Sequence, residues 1–341
     1  MRIFHNADHA RHDARSELHN GQLVRSFERP ERMATILSAL AEAGFPPPQT
    51  PKPCPRSVIE RVHASDYLSF LETAHERWVA EHGPGDAIAF VYPAPGLRRT
   101  APPEEIDGAL GHYGFTVDTC ITEGSWSAAL SAAACAHAAA LVADQGPAFA
   151  LARPPGHHAH RDLYGGYCYL NNAAIAVETL RSGGADRVAL LDIDYHHGNG
   201  SQAVFYERSD VLFLSIHADP AQEFPYFLGY ADEHGAGHGA GFNINFPLRH
   251  GTDIVLWGQA LEEACRRIAD YGADALVVSL GVDTFEGDPI SRFALREADF
   301  PPIGARIAAL GLPTVFVMEG GYAIEALGRN VVGVLEGFNN G

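Results

Sequence analysis

Two short stretches concentrate groups that could do chemistry. In RPPGHHAHRD, Arg153 to Asp162, two histidines stand side by side after a proline pair and a glycine, and His160 adds a third. In LLDIDYHHGNG, Asp192, Asp194 and His196 alternate with Ile193 and Tyr195, so on an extended strand the three polar side chains leave from one face. Two carboxylates and an imidazole are thereby aimed at one point. Asp283, at the end of the apolar run ALVVSLGV, adds a further acid. A site of one histidine and two carboxylates leaves room for water on a borderline divalent metal such as Zn²⁺ or Fe²⁺. A lone aspartate at a strand end usually caps a helix or makes a turn. Three acids converging beside a histidine are harder to explain that way, because burying them without a cation costs several kcal/mol per ion. One carboxylate can bind the metal while the other orients a histidine of the GHH turn.

The elements that must position these groups are legible as patterns. From about residue 145 onward, apolar runs alternate with helical periodicities: AFALA, RVALLDID, VLFLSIH, FNINF, ALVVSLG and TVFVMEG. Near-continuous apolar strands of this kind suit a parallel sheet buried on both faces. Helices are predicted over 172–181, stopped by Gly183-Gly184, and over 253–271. Upstream, helices are predicted over 31–42 after Pro30 and over 58–80, and Ser127 to Ala143 reads as a buried helix. Phe90 to Pro103, rich in Pro, Gly and Arg, reads as a long loop. No low-complexity linker or repeat divides the 341 residues, which predicts one α/β domain with N-terminal helices covering a mostly parallel sheet. In such a sheet, ligands sit beyond the carboxyl ends of the strands. Those are the places where RPPGHH, DIDYHHGNG, IHADP, GVDTFEGDP and EGGY stand.

Composition bounds the partners. With 24 Lys and Arg against 42 Asp and Glu, the formal charge is −18, which repels nucleic acid and anionic lipid at long range and could focus a cationic substrate. The N-terminus lacks the features of a secretion signal and no run suits a membrane span, so a cytoplasmic protein is expected. Five scattered cysteines without a CxxC pair predict reduced core thiols.

RPPGHHA, YGGYCYLNNAAIA, LLDIDYHHGNGSQAVFY, GVDTFEGDP and MEGGY together resemble the histone deacetylase and acetylpolyamine amidohydrolase family, within the arginase-deacetylase fold. SELHNG, HASDYLSFLETA, IDGALGHYG and DPAQEFPYFLGY extend the resemblance toward the acetylpolyamine branch. The resemblance implies a mostly parallel sheet of about eight strands flanked by helices. It implies that Asp194, His196 and Asp283 hold Zn²⁺, with Fe²⁺ or Co²⁺ as substitutes. It implies that His157, held by Asp192, and His158 flank the attacking water, and that Tyr322 donates to the substrate carbonyl. It also implies a structural K⁺ near Asp192 and Ser215, a second such site near Phe205 and Val211, and a homodimer to whose narrowed entrance the 90–103 loop contributes.

The implied reaction is removal of acetyl groups from acetylputrescine, acetylcadaverine or acetylspermidine, giving acetate and a free amine. Glu17, Asp107 and Asp118 match acids near the mouth of the polyamine branch, and Tyr167, Phe224 and Ile290 would grip a methylene chain. The rivals are an acyl-lysine deacetylase of the same family, a non-catalytic acetyl-amide sensor, and an arginase-like hydrolase, which the GHH and GGY motifs disfavour. Asn199 stands where other branches of the family place an aspartate facing the second histidine, which predicts that His158 stays neutral more readily. His160 has no matched role, and its replacement by alanine is expected to be nearly neutral.

Overall fold

A computed structural model describes residues 1–341. In chain order its main elements are β1 (Arg2–Phe4), β2 (Glu17–His19), β3 (Gln22–Val24), α1 (Glu31–Glu42), α2 (Arg56–Val62), α3 (Ser65–His82), α4 (Ile106–Tyr113) and α5 (Ser125–Ala140). There follow β4 (Ala148–Ala150), α6 (Asn172–Ser182), β5 (Val188–Asp192), α7 (Asn199–Phe205), β6 (Val211–Ala218), β7 (Asn243–Leu248), α8 (Ile254–Tyr271), β8 (Ala275–Leu280), α9 (Phe300–Ala308), β9 (Thr314–Met318) and α10 (Ile324–Asn340). Seven strands form one sheet in the order β1-β4-β9-β8-β5-β6-β7, and each neighbouring pair is parallel. β2 and β3 make a separate antiparallel hairpin.

Alternation along the strands builds two cores. Val188, Leu190, Val211, Phe213, Val277 and Val315 point into one, packed under α5 and α6. Ala189, Leu191, Leu212, Leu214, Val278 and Phe316 point into the other, covered by α1, α8, α9 and α10. Both faces of the sheet are thus buried, as the unbroken apolar runs require. α5 is built almost wholly from small side chains, so it lies close against the sheet edge, with Ala132, Ala133 and Ala136 inaccessible to solvent.

Local signals account for the helix ends. The Asp253 carboxylate accepts from the Val255 and Leu256 amides to start α8, which stops at Gly272 in the left-handed conformation at φ 67°. The Asn171 side chain starts α6 by accepting from Ala174 N. One expected helix, 58–80, is instead two, because the chain is extended at His63 and Ala64. There His63 Nε2 accepts from Asn171 N at 2.9 Å, and Ala64 N donates to Arg161 O at 2.9 Å. These long-range partners tie the break to the loop that follows the tandem histidines, so tertiary contacts override the helical pattern. The edge strand β1 is too short to show a period, and only its pairing with β4 reveals it. Residues 90–103 form the long loop expected, with Phe90 and Leu97 exposed.

Candidate active site

The carboxyl ends of β4, β9, β8 and β5 are neighbours, and the four loops that leave them converge. β5 ends at Asp192, yet its alternation continues beyond the ladder: Ile193 and Tyr195 stay in the core under α8, while Asp192, Asp194 and His196 face the other way. Asp283, just past β8, joins them. One ligand atom each from Asp194, His196 and Asp283 lies within 4.8 Å of the others. His196 Nδ1 is 3.2 Å from Asp283 Oδ2 and 3.5 Å from Asp194 Oδ1. Ligands held at ~2.0–2.1 Å around a tetrahedral ion stand ~3.3 Å apart, so this triad fits a divalent metal ion of that size.

The field at this point calls for positive charge. Burial lowers the basicity of the His196 imidazole, but the carboxylates of Asp194 and Asp283 outweigh it and push its pKa up to about 10. Burial and the Asp194 charge raise Asp283 to about 6. Against its own burial, Asp194 is held low by His157 and His196. Two glycines permit the crowding. A Cβ on Gly320 would stand 2.4 Å from Asp283 Oδ2, and one on Gly281 would stand 2.1 Å from Asp194 Oδ2. In place of a side chain, Gly320 offers its amide, which donates to Asp194 Oδ2 at 2.8 Å.

The tandem histidines lie beside the triad and differ in charge. His157 Nδ1 donates to Asp192 Oδ2 at 3.0 Å, and its Nε2 lies 3.8 Å from Asp194 Oδ1. Burial would lower its pKa, but Asp194 and Asp192 prevail and carry it to about 10. His158 Nδ1 faces a neutral amide, Asn199 Oδ1, at 2.6 Å. Burial, then the charges of His157 and His196, hold His158 well below the ordinary imidazole value. These surroundings favour the cation at His157 and the free base at His158. Burial raises Cys168 far above the ordinary thiol range, which leaves that thiol inert at neutral pH.

Tyr322 comes from the loop after β9, and a buried ion cluster that the motifs do not reveal holds that loop. Arg32 Nε donates to Gly321 O at 2.8 Å, and its Nη1 to Glu28 Oε1 at 3.0 Å. Arg153 Nε reaches the same Glu28 oxygen at 2.8 Å. The guanidinium of Arg32 also lies over the Tyr322 ring, 4.8 Å from its centroid. From the other side, Asp288 accepts from Tyr322 N at 2.7 Å and Ala323 N at 3.1 Å. Burial keeps the phenol of Tyr322 protonated well above its ordinary value, so it is a donor. The only sequence signals for these supports are the charges flanking the prolines in ERPER and RPP, and the last acid of GVDTFEGDP.

His158, His196 and Tyr322 floor a cleft of about 400 Å³ whose walls include Tyr167, Phe224, Ile290 and Tyr226. Phe224 meets His158 edge-on at 5.0 Å, and Tyr167 meets Tyr322 at 5.7 Å. The expected trio of acids is not assembled there. Asp118 lines the cleft, but Glu17 is buried behind it, accepting from the Tyr167 hydroxyl at 2.8 Å and from Ser26 Oγ at 2.9 Å. Asp107 lies outside the cleft lining and pairs with His82 at 3.0 Å. Glu223 and Arg292, which the sequence does not single out, line the wall instead. Ser215 stands opposite Asp192 in the ladder, with its hydroxyl 2.8 Å from His217 Nδ1.

Comparison with known proteins agrees with this geometry. Residues 26–338 match the model of the histone deacetylase domain. The chain is 52% identical over 334 residues to acetylpolyamine amidohydrolase 1 of Pseudomonas aeruginosa, covering 97% of this chain and 96% of that protein. It is 49% identical over 341 residues to the acetylpolyamine amidohydrolase of Mycoplana ramosa, covering 99% of each. The crystal structure of an acetylpolyamine aminohydrolase from Burkholderia pseudomallei superposes with a TM-score of 0.93 at 39% identity, covering 99% of this chain and 98% of that one. With a buried triad of metal-ligand type at the ends of a parallel sheet, this chain belongs to the acetylpolyamine amidohydrolase family of the histone deacetylase domain and is a metal-dependent deacetylase of acylated amines.

Proposed function

We propose that the enzyme removes acetyl groups from acetylated polyamines of the acetylputrescine, acetylcadaverine and acetylspermidine class, with zinc as its metal. One observation carries the reading: a neutral imidazole, His158, and a protonated phenol, Tyr322, line one cleft together with His196, whose ring belongs to the buried triad with Asp194 and Asp283. Asp194, His196 and Asp283 would hold the zinc, which when bound polarises an acetyl carbonyl and acidifies water. His158, with Nδ1–H on Asn199, keeps the Nε2 lone pair for the proton of the attacking water. As the C–N bond breaks, the same nitrogen returns that proton to the departing amine. The Tyr322 hydroxyl donates to the carbonyl oxygen as negative charge grows there, and His157, paired with Asp192, adds fixed positive charge alongside. Atoms balance as amide plus water giving acetate plus amine.

For the amine end, Tyr167 and Phe224 supply apolar walls for a methylene chain, while Asp118 and Glu223 supply negative charge against the −18 background. Arg292 on the same wall moderates that charge, so chain length and terminal charge both matter to selection. A structural K⁺ beside Asp192 and Ser215 is part of this reading, and the buried Asp192 carboxylate, paired opposite Ser215 in the ladder, supports it. So is a homodimer, favoured by the exposed Phe90, Leu97 and Phe227. No helix is long and apolar enough to cross a membrane, and the five cysteines are unpaired, which suits a reducing, cytoplasmic setting. A kinetic panel on the zinc-loaded protein tests the substrate. Acetylated diamines are expected to exceed an acetyl-lysine peptide in kcat/KM. A preference for the peptide would move the enzyme to the acyl-lysine rival, and binding of acetylated amines without acetate release would leave only a sensor.

A further inference from the structure

The third imidazole of GHHAH has no part in the reaction as set out, and the sequence alone marks it as dispensable, an expectation that its contacts overturn. Yet His160 Nε2 lies 2.8 Å from Asn199 Nδ2, on the far side of the amide whose oxygen meets His158 Nδ1. The bridge is pinned at both ends. Gly200 and Ser201, at the start of α7, donate their amides to His157 O at 3.0 and 3.1 Å. Asn171 Nδ2 donates to Ala159 O at 3.1 Å, and His160 N donates to Leu163 O at 2.9 Å. Gly200 lies so close to this turn that a Cβ there would stand 2.3 Å from Ala159 O.

An amide side chain turned end for end keeps its shape but exchanges acceptor for donor. With oxygen toward His158, the imidazole carries its proton on Nδ1 and leaves Nε2 free as the base. With NH2 toward His158, Nδ1 must accept, the proton moves to Nε2, and the base is lost. The His158 and Asn199 pair makes one hydrogen bond either way, so the pair alone does not choose. When His158 takes a second proton during turnover, only the first orientation serves, and the buried NH2 of Asn199 then needs an acceptor on its other side. Burial lowers His160 to about 4, so at neutral pH its ring is uncharged and can offer a lone pair.

We infer that His160 is a positioning residue: by accepting from Asn199 Nδ2 it holds the amide oxygen toward His158 and so keeps the base in its working tautomer. This deepens the deacetylase reading and rests on it for the role of His158. The polarity of residue 160, rather than its bulk, is then what matters, and that separates positioning from packing. As a carboxylate, the side chain of His160→Glu can only accept, and as an ammonium, that of His160→Lys can only donate.

The test uses the zinc-loaded enzyme with an acetylated diamine. His160→Glu is expected to stay within about threefold of the parent in kcat. His160→Lys is expected to lose about tenfold or more in kcat with little change in KM, the mark of a misdirected base. In an Asn199→Asp background, where residue 199 can only accept, His160→Lys is expected to cost no more than about threefold. The ¹⁵N spectrum of His158, assigned by its loss in His158→Ala, supplies a readout independent of turnover: the proton sits on Nδ1 in the parent and the Glu variant and on Nε2 in the Lys variant. Equal losses in the Glu and Lys variants, or a His158 tautomer indifferent to residue 160, would overturn the inference. Should the parent hydrolyse no acetylated amine while the tautomer still follows residue 160, the substrate reading fails and the relay stands.

Discussion

At the scale of single residues, the site separates two adjacent imidazoles by what each one faces. His157 faces a carboxylate and is held as a cation, while His158 faces an amide and stays neutral. Replacing Asn199 by Asp puts a negative charge beside His158 and raises its pKa. The form of His158 that can accept a proton then disappears at a higher pH, so the acid limb of kcat/KM moves upward; a pH–rate profile of variant and parent measures this, and an unmoved limb counts against His158 as the base. Tyr322→Phe keeps the ring beneath Arg32 but removes the donor. Turnover should fall about a hundredfold or more at unchanged zinc content, the usual cost of losing an oxyanion donor. Equal activity would take Tyr322 out of the mechanism.

At the scale of elements, the sheet was legible because buried parallel strands announce themselves as apolar runs, and the polar residues after each run marked the catalytic edge. The alternation through Asp192, Asp194 and His196 was readable for the same reason, even though β5 itself ends at Asp192. What sequence could not show were supports made by distant partners: His63 breaking a helix to hold Asn171, Glu28 bridging Arg32 and Arg153, and Glu17 turned inward to Tyr167. Local pattern carries no information about such pairings. The Glu28 cluster ties α1 to the tandem-histidine turn and the Tyr322 loop. Removing its carboxylate in Glu28→Gln strands two buried guanidinium groups and should cost ~3–5 kcal/mol of stability. Burial raises the Glu28 pKa, but Arg153 and Arg32 dominate and bring it down to about 2. Because the folded value is depressed, its stabilisation is present above the unfolded carboxyl value and fades as pH falls toward 2. The Tm gap between parent and Glu28→Gln should therefore narrow from pH 7 to pH 3, whereas a constant gap would mean that charge pairing is not what Glu28 supplies.

At the scale of the whole molecule, the fold gathers acidic groups at one end of its sheet, so a cation bound there should add to stability as well as supply chemistry. Chelation should lower Tm, and zinc should restore it by mass action, adding ~4 kcal/mol when free zinc exceeds its Kd a thousandfold. Gly320→Ala, whose Cβ would invade both ligand carboxylates, should abolish that zinc-dependent rise. An undiminished rise would show that zinc stabilises the protein from elsewhere. The most direct examination is anomalous X-ray diffraction at the zinc edge on crystals of the zinc-loaded protein. The expected result is a strong peak within ~2.0–2.2 Å of one oxygen of Asp194, one oxygen of Asp283 and Nδ1 of His196. A peak bound by other residues, with none at these three side chains, would contradict the assignment of this site as the metal centre of a deacetylase.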